Sequence, residues 1–320
     1  MTYAYVANSG SDTVTVIDTS TNTVSDTITV GGQPWGIAAT PDGTHVYVTN
    51  SSYSGTVAVI DTSTNTVSDT ITVGGYPEPI VITPDGKHAY VGNTNDHTVS
   101  AIDTSTHSVI ATISVGGTPV ALAVSPDSAH VYAGIATTNP FVSVIATATN
   151  SVVTTFGAGV LTVGPWLTVT SDGNYIYASQ EVLPGIVRVY STASYSLDAT
   201  ITVQADPLPI AASPTGPYVY VANTCGTGAG GICQTVGTVS VIDTSTQSVV
   251  QTVNVGWGPD GLAFTPDGTS VYVANTSDGS ISVIDTATYS VQTPVTGLPY
   301  PNGVAFASGP KGHNWAWIIA

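Results

Sequence analysis

Six histidines, two cysteines and twenty acidic residues are the groups with which this 320-residue chain can do acid–base, metal or redox chemistry. Their spacing argues against most of it. His45, His88 and His130 recur at steps of 43 and 42 residues, so they occupy one repeated position rather than one site, and no HExxH, close His pair or CxxCH haem motif occurs. Neither a metal nor a cofactor is expected. Cys225 and Cys233 stand eight apart in the glycine-rich stretch TCGTGAGGIC. That spacing can close a small disulfide loop, which would suit an oxidising compartment; a pair of reduced, exposed thiols is the alternative, and zinc lacks the further ligands that a structural site takes. Half of the carboxylates also repeat: Asp18, Asp61, Asp103, Asp243 and Asp285 in one position, Asp42, Asp85, Asp127, Asp172 and Asp267 in another. An Asp at a strand end accepts backbone N–H groups of the following turn, so these ten read as turn chemistry. No G-x-S-x-G elbow offers a nucleophile.

The elements that must position whatever chemistry remains come from a tyrosine-centred unit. It reads YAYVAN at Tyr3, HVYVTN at His45, HAYVGN at His88, YVYVAN at Tyr218 and SVYVAN at Ser270, with looser copies around Tyr132 and Tyr177. From Tyr5 through Tyr47, Tyr90, Tyr132, Tyr177, Tyr220 and Tyr272 the steps are 42, 43, 42, 45, 43 and 52 residues. Within one unit WGIAAT, HVYVTN, TVAVID and VSDTITV are short, β-branched and alternating, and PDG, DTSTNT and GG-x-P punctuate them. Four antiparallel strands per unit of about 40–45 residues is a β-propeller blade. First strands begin near Trp35, Glu78, Val120, Trp166, Pro209, Asp260 and Asn302, which makes seven blades. The expectation is an all-β, seven-bladed propeller, one domain over residues 1–312, closed by pairing the C-terminal first strand with the three N-terminal strands. HNWAWIIA at residues 313–320 resembles a surplus second strand, and YAYVAN is the better occupant of the closing blade because it runs directly into its third strand.

Composition narrows the partners. Formal charge is −17, and Lys87, Arg188 and Lys311 are the only fixed cations, so nothing is present to neutralise a phosphate backbone or an anionic bilayer. No apolar run approaches the roughly 20 residues of a membrane helix, and no charged-then-apolar leader precedes Tyr3. Neither nucleic acid nor membrane insertion is expected.

Tyr47, Val48, Thr49 and Asn50 spell YVTN between TPDG and VAVIDTSTNTV. With PDG, YVxN, VxVIDT and VxxTIxVG repeated along it, the whole chain resembles the YVTN-repeat β-propellers of archaeal surface layers and of secreted or cell-surface bacterial proteins. The resemblance implies a structural or binding role in an extracellular or cell-envelope setting, and no catalytic residues. Departures gather in the middle: Ile145-Ala146-Thr147 and Tyr190-Ser191-Thr192 replace IDT, while Ser171-Asp172-Gly173 and Pro214-Thr215-Gly216 replace PDG.

What fails to repeat is where a ligand should be sought. Second-to-third-strand loops must share a face with the blade-to-blade connections, and that face collects SSYSG with Tyr53, the cysteine insertion, and the connections QPWG, YPEP, GPWL, DPLP, WGPDG and YPNG. Trp35, Tyr76, Glu78, Trp166, Asp206, Trp257, Asp260 and Tyr300 should ring the channel mouth there. Aromatic rings beside a few carboxylates suit protein or glycan recognition; the competing reading has each Trp wedging neighbouring blades. The expected function is non-enzymatic binding. The alternative is a propeller enzyme of lyase or lactone-hydrolase type, with Glu78, Asp206 and Asp260 in acid–base roles, which rests on fold analogy.

Overall fold

The computed structural model of the protein describes residues 1–158, 165–224 and 236–308. Cys225, Cys233 and HNWAWIIA lie outside these. The chain enters on β1 (Thr2–Asn8), β2 (Thr13–Asp18) and β3 (Thr23–Thr29). Six complete blades follow. The first is β4 (Pro34–Ala39), β5 (His45–Asn50), β6 (Thr56–Asp61) and β7 (Thr66–Thr72); the second is β8 (Pro77–Ile82), β9 (His88–Asn93), β10 (Thr98–Asp103) and β11 (Ser108–Ser114). The third is β12 (Thr118–Val124), β13 (His130–Ala136), β14 (Phe141–Ala146) and β15 (Ser151–Gly157); the fourth is β16 (Trp166–Val169), β17 (Tyr175–Gln180), β18 (Ile186–Ser191) and β19 (Leu197–Thr202). The fifth is β20 (Pro207–Ala212), β21 (Tyr218–Asn223), β22 (Thr238–Asp243) and β23 (Ser248–Asn254); the sixth is β24 (Pro259–Phe264), β25 (Ser270–Asn275), β26 (Ser280–Asp285) and β27 (Val295–Thr296). Finally β28 (Pro301–Ser308) pairs antiparallel with β1, giving the seventh sheet the order β28-β1-β2-β3. YAYVAN therefore fills the closing blade, and the expected seven-bladed propeller is what the chain forms. No helix occurs among the described residues.

The core consists of seven interfaces between neighbouring blades. Each buried cluster draws on two adjacent sheets; Tyr47, Val57 and Ile71 of the first blade, for example, pack with Ile80, Val91 and Ile102 of the second. Tyr5, Tyr47, Tyr90, Tyr177, Tyr220 and Tyr272 are among the largest fully buried side chains. Four of these hydroxyls reach across the seam to the turn between the third and fourth strands of the next blade: Tyr5 donates to Asn65 Oδ1 (2.8 Å), Tyr90 to Asn150 Oδ1 (2.6 Å), Tyr47 to the Thr104 carbonyl (3.3 Å), and Tyr272 to Asn22. The Asn that ends the motif works inside its own blade. Asn8 Nδ2 donates to Thr15 Oγ1 (2.9 Å), and Asn93 Nδ2 to Ser100 Oγ (2.9 Å). So the tyrosine holds blades together and the asparagine holds one blade's second and third strands together.

The repeated aspartates are consumed by turns, as their spacing implies. Asp18 Oδ1 accepts the Ser20 N–H (2.8 Å) and hydroxyl (2.6 Å), and Asp42 Oδ1 accepts the Thr40 hydroxyl (2.6 Å) and the Thr44 N–H (3.0 Å). These bonds, led by the Ser20 hydroxyl, hold the Asp18 carboxyl below the ordinary carboxylate range.

Candidate functional site

Each innermost strand starts the same way. Pro34, Pro77, Pro119, Pro165, Pro207, Pro259 and Pro301 are all buried, and the residues that follow them are Trp35, Glu78, Val120, Trp166, Leu208, Asp260 and Asn302. A proline donates no ladder bond, and in six blades the pairing with the second strand slips just there, between Pro34 and Ile37 or between Pro259 and Gly261 for instance. Such an irregularity re-aims a side chain. Here it sends Trp35, Glu78, Val120, Asp260 and Asn302 to the wall of the central channel; Trp166 reaches the same wall from the fourth blade, whose pairing has no slip, and in the fifth blade Pro209 takes that place instead of Leu208.

Ring order divides the channel into two arcs. Asp260, Asn302, Trp35 and Glu78 come from the consecutive inner strands β24, β28, β4 and β8, and Val120, Trp166 and Pro209 from β12, β16 and β20. The channel's two carboxylates and its amide all fall on the first arc. The room left for the centres of water-sized molecules is ≈ 50 Å³, space for a few waters and far less than an enclosed pocket for a drug-sized ligand offers. The mouth offers a ligand more room than the bore does.

Burial dominates the electrostatics. Asp260, open only to the narrow channel, is pushed up to about 6, first by desolvation and then by the negative charge of Glu181. Desolvation also raises Glu78, and raises Glu181 with a further contribution from Asp206. Asn302 is 2% exposed; its Oδ1 accepts the Thr276 hydroxyl (3.2 Å), while its Nδ2 has no partner among the described residues. Among those residues no three His, Cys, Asp or Glu side chains gather as a metal would require.

Around this mouth stand the exposed aromatics: Tyr53 (78%), Tyr300 (61%), Trp257 (48%) and Tyr76 (41%). Tyr76 (φ 49°), Asp206 (φ 52°) and Tyr300 (φ 53°) are left-handed residues directly before a proline, the position that Gly258 (φ 61°) fills in the sixth blade. Their carbonyls are tied down by the second-to-third-strand loops, through Thr94 N–H to Tyr76 (3.0 Å), Thr224 N–H to Asp206 (3.1 Å) and Ser9 N–H to Tyr300 (3.0 Å). Connections and loops thus share one face. The Trp257 N–H donates to Asp278 Oδ2 (2.6 Å), and the Tyr76 N–H to the Ser52 carbonyl (2.7 Å), which sets Tyr76 beside the loop carrying Tyr53.

The residues singled out in the sequence accordingly fall into two groups. Trp35, Glu78, Trp166 and Asp260 line the channel; Tyr53, Tyr76, Asp206, Trp257 and Tyr300 belong to the rim around it. Trp166 also packs into the clusters on both sides of the fourth blade, as the wedging reading has it, whereas Trp257 is too exposed for that role. Glu181 and Asn302 were missed. Asn302 was recoverable from the Pro-x register that six of the seven inner strands follow, while Glu181 lies in the loop QEVLPG, which no repeat flags.

No protein-family model matches the chain, and no curated protein does. Solved structures similar to it include Kuenenia stuttgartiensis hydrazine synthase, at 21% identity and a TM-score of 0.76 over 85% of this chain and 89% of that one. Another is a functionally unknown protein from Desulfotomaculum acetoxidans, at 18% identity and a TM-score of 0.75 over 96% of this chain and 99% of that one. At these identities the likeness is one of fold: the chain is a seven-bladed β-propeller.

Proposed function

We propose that the protein is a non-enzymatic binding module of the YVTN-repeat propeller type, working outside the cell or in the cell envelope, whose connection face takes a neutral glycan. The observation that carries this reading is the exposure of Tyr53, Tyr76, Trp257 and Tyr300 on one face, two of them held at left-handed backbone angles where glycine would cost less. A core role would have buried these rings. Ring faces offer flat apolar area to the C–H faces of sugars, and the Asp206 and Glu181 carboxylates nearby can accept their hydroxyls. Protein is the second class of ligand for the same surface; an anionic one is disfavoured by the carboxylates and by the net charge of −17.

The test is capture on an array of neutral and anionic glycans, repeated with a Tyr76→Ala/Trp257→Ala/Tyr300→Ala variant. Binding to neutral glycans that falls at least about tenfold in the variant, with an unchanged melting temperature, supports the proposal. Binding that survives the triple substitution, or no glycan binding at all, contradicts it. One observation favours an enzyme as the second reading: Asp260, at about 6, suits a general acid near neutrality. Turnover of lactone or uronide substrates that disappears in Asp260→Asn would establish it.

A further inference from the structure

Every blade turns its fourth strand outward as an unpaired sheet edge, and such an edge invites pairing unless it is protected. Each long outer strand carries one bulged residue: Ser25, Ser68, Ile110, Val153, Asp198 and Val250 in turn. In β3 and β7 the bulge is sealed from within, Ser25 Oγ donating to the Val16 carbonyl (3.1 Å) and Ser68 Oγ to the Val59 carbonyl (3.2 Å). Beside it Asp26 and Asp69 add charge and tie the edge to the next blade's turn, at Asn65 Nδ2 (3.0 Å) and His107 Nδ1 (3.2 Å). In β19 the bulge is itself an acid, Asp198.

β11 and β15 have none of these devices. Their sequences, SVIATIS and SVVTTFG, contain no charged residue, and their bulges expose Ile110 (48%) and Val153 (54%). Ala111 stands where Asp26 and Asp69 stand, so no side chain ties β11 to the third blade's turn, and the seam between β11 and β15 opens into an uncharged surface depression of ≈ 340 Å³ lined by Phe141, Ser143, Val152 and Thr155. β23 also has an apolar bulge, Val250, but Gln251, whose Oε1 accepts the Thr252 N–H (3.0 Å), stands where Ala111 stands in β11 and leaves a polar side chain at that edge.

We infer that the β11 edge and its adjoining seam form a contact between two copies of this chain, paired antiparallel about a twofold axis at Ala111. The strand is nearly its own complement in that register: Ser108 meets Ser114, Val109 meets Ile113 and Ile110 meets Thr112, an isologous arrangement. Charge selects the place and the partner. Two copies at −17 each repel wherever acids face each other, so they meet where there are none, and a basic partner would prefer the acidic edges β3, β7 and β19. Seven paired residues bury less than a stable interface needs, so the exposed Val153 and the seam's walls complete the contact.

Sedimentation velocity on the whole chain tests this. A dimer should form at roughly 10–100 μM and tighten as added salt screens the repulsion. Ile110→Asp, which copies the arrangement at Asp198, should weaken it at least about tenfold by placing like charges across the axis, and Val250→Asp should leave it unchanged. Ala111→Asp, which copies Asp26 and Asp69, serves as a second variant should Ile110→Asp fail to fold. A monomer throughout that range at low and high salt, or equal weakening by Val250→Asp, overturns the inference.

Discussion

Among the described carboxylates, Asp260 is the one that burial pushes furthest from its ordinary range. Burial pushes its carboxyl up to about 6 from its ordinary value of 3.8, so between those values the folded state binds more protons than the unfolded chain. Stability contributed by this group is therefore fully present below about pH 4 and is lost as pH rises through about 6. Moving from 3.8 to about 6 corresponds to a contribution of about 3 kcal/mol. Asp260→Asn should remove that step and make the protein more stable than wild type by up to this amount at about pH 7, a tolerable change because Asn302 occupies the equivalent position in the next blade. Urea unfolding across about pH 4–7 for both proteins reads the difference; parallel pH profiles would show that Asp260 is solvated like any surface carboxylate. Asp260 was legible in the sequence as a connection residue, yet its burial was not, because burial depends on how six other inner strands close around it.

Among the elements, the second strand and the turn it meets in the next blade carry the assembly. The Tyr90 hydroxyl has its partner in Asn150, whereas the Tyr177 hydroxyl is buried without one among the described residues, since Gln247, in the equivalent turn, bonds Asp198 instead. Tyr90→Phe should cost about 1–2 kcal/mol in chemical denaturation, and Tyr177→Phe should be neutral or slightly stabilising. Equal losses in both would mean that the bond to Asn150 is not what the Tyr90 hydroxyl contributes, and no loss in either would mean that the tyrosines act through packing alone. The repeat was readable because the tyrosine and the turn asparagine answer to local chemistry: a β-forming strand and a turn residue at positive φ, as at Asn22, Asn65 and Asn150. That the two residues bond each other was not readable, because the partners lie 60 residues apart. The inward aim of Trp35, Glu78 and Asp260 was hidden for a related reason. It comes from a slip in strand pairing beside each proline, and a strict alternation of faces does not predict it.

For the whole molecule, pairing of β1 with β28 makes the ring continuous and leaves edges only at the outer wall. The molecule then has two unlike faces. On one, aspartates are spent on PDG and DTSTNT turns; on the other, connections and loops lift Tyr53, Tyr76, Trp257 and Tyr300 into solvent around the channel. On the proposed function, recognition belongs to this second face. Hydrogen exchange, compared with and without the glycan retained from the array, tests it most directly. Slowed exchange is predicted at the amides of Tyr76, Trp257 and Tyr300 and of the neighbouring loop residues Ser52 and Thr94. Slowing confined to the PDG turns around Asp42 and Asp267, or to the outer strands β11 and β15, would contradict the claim.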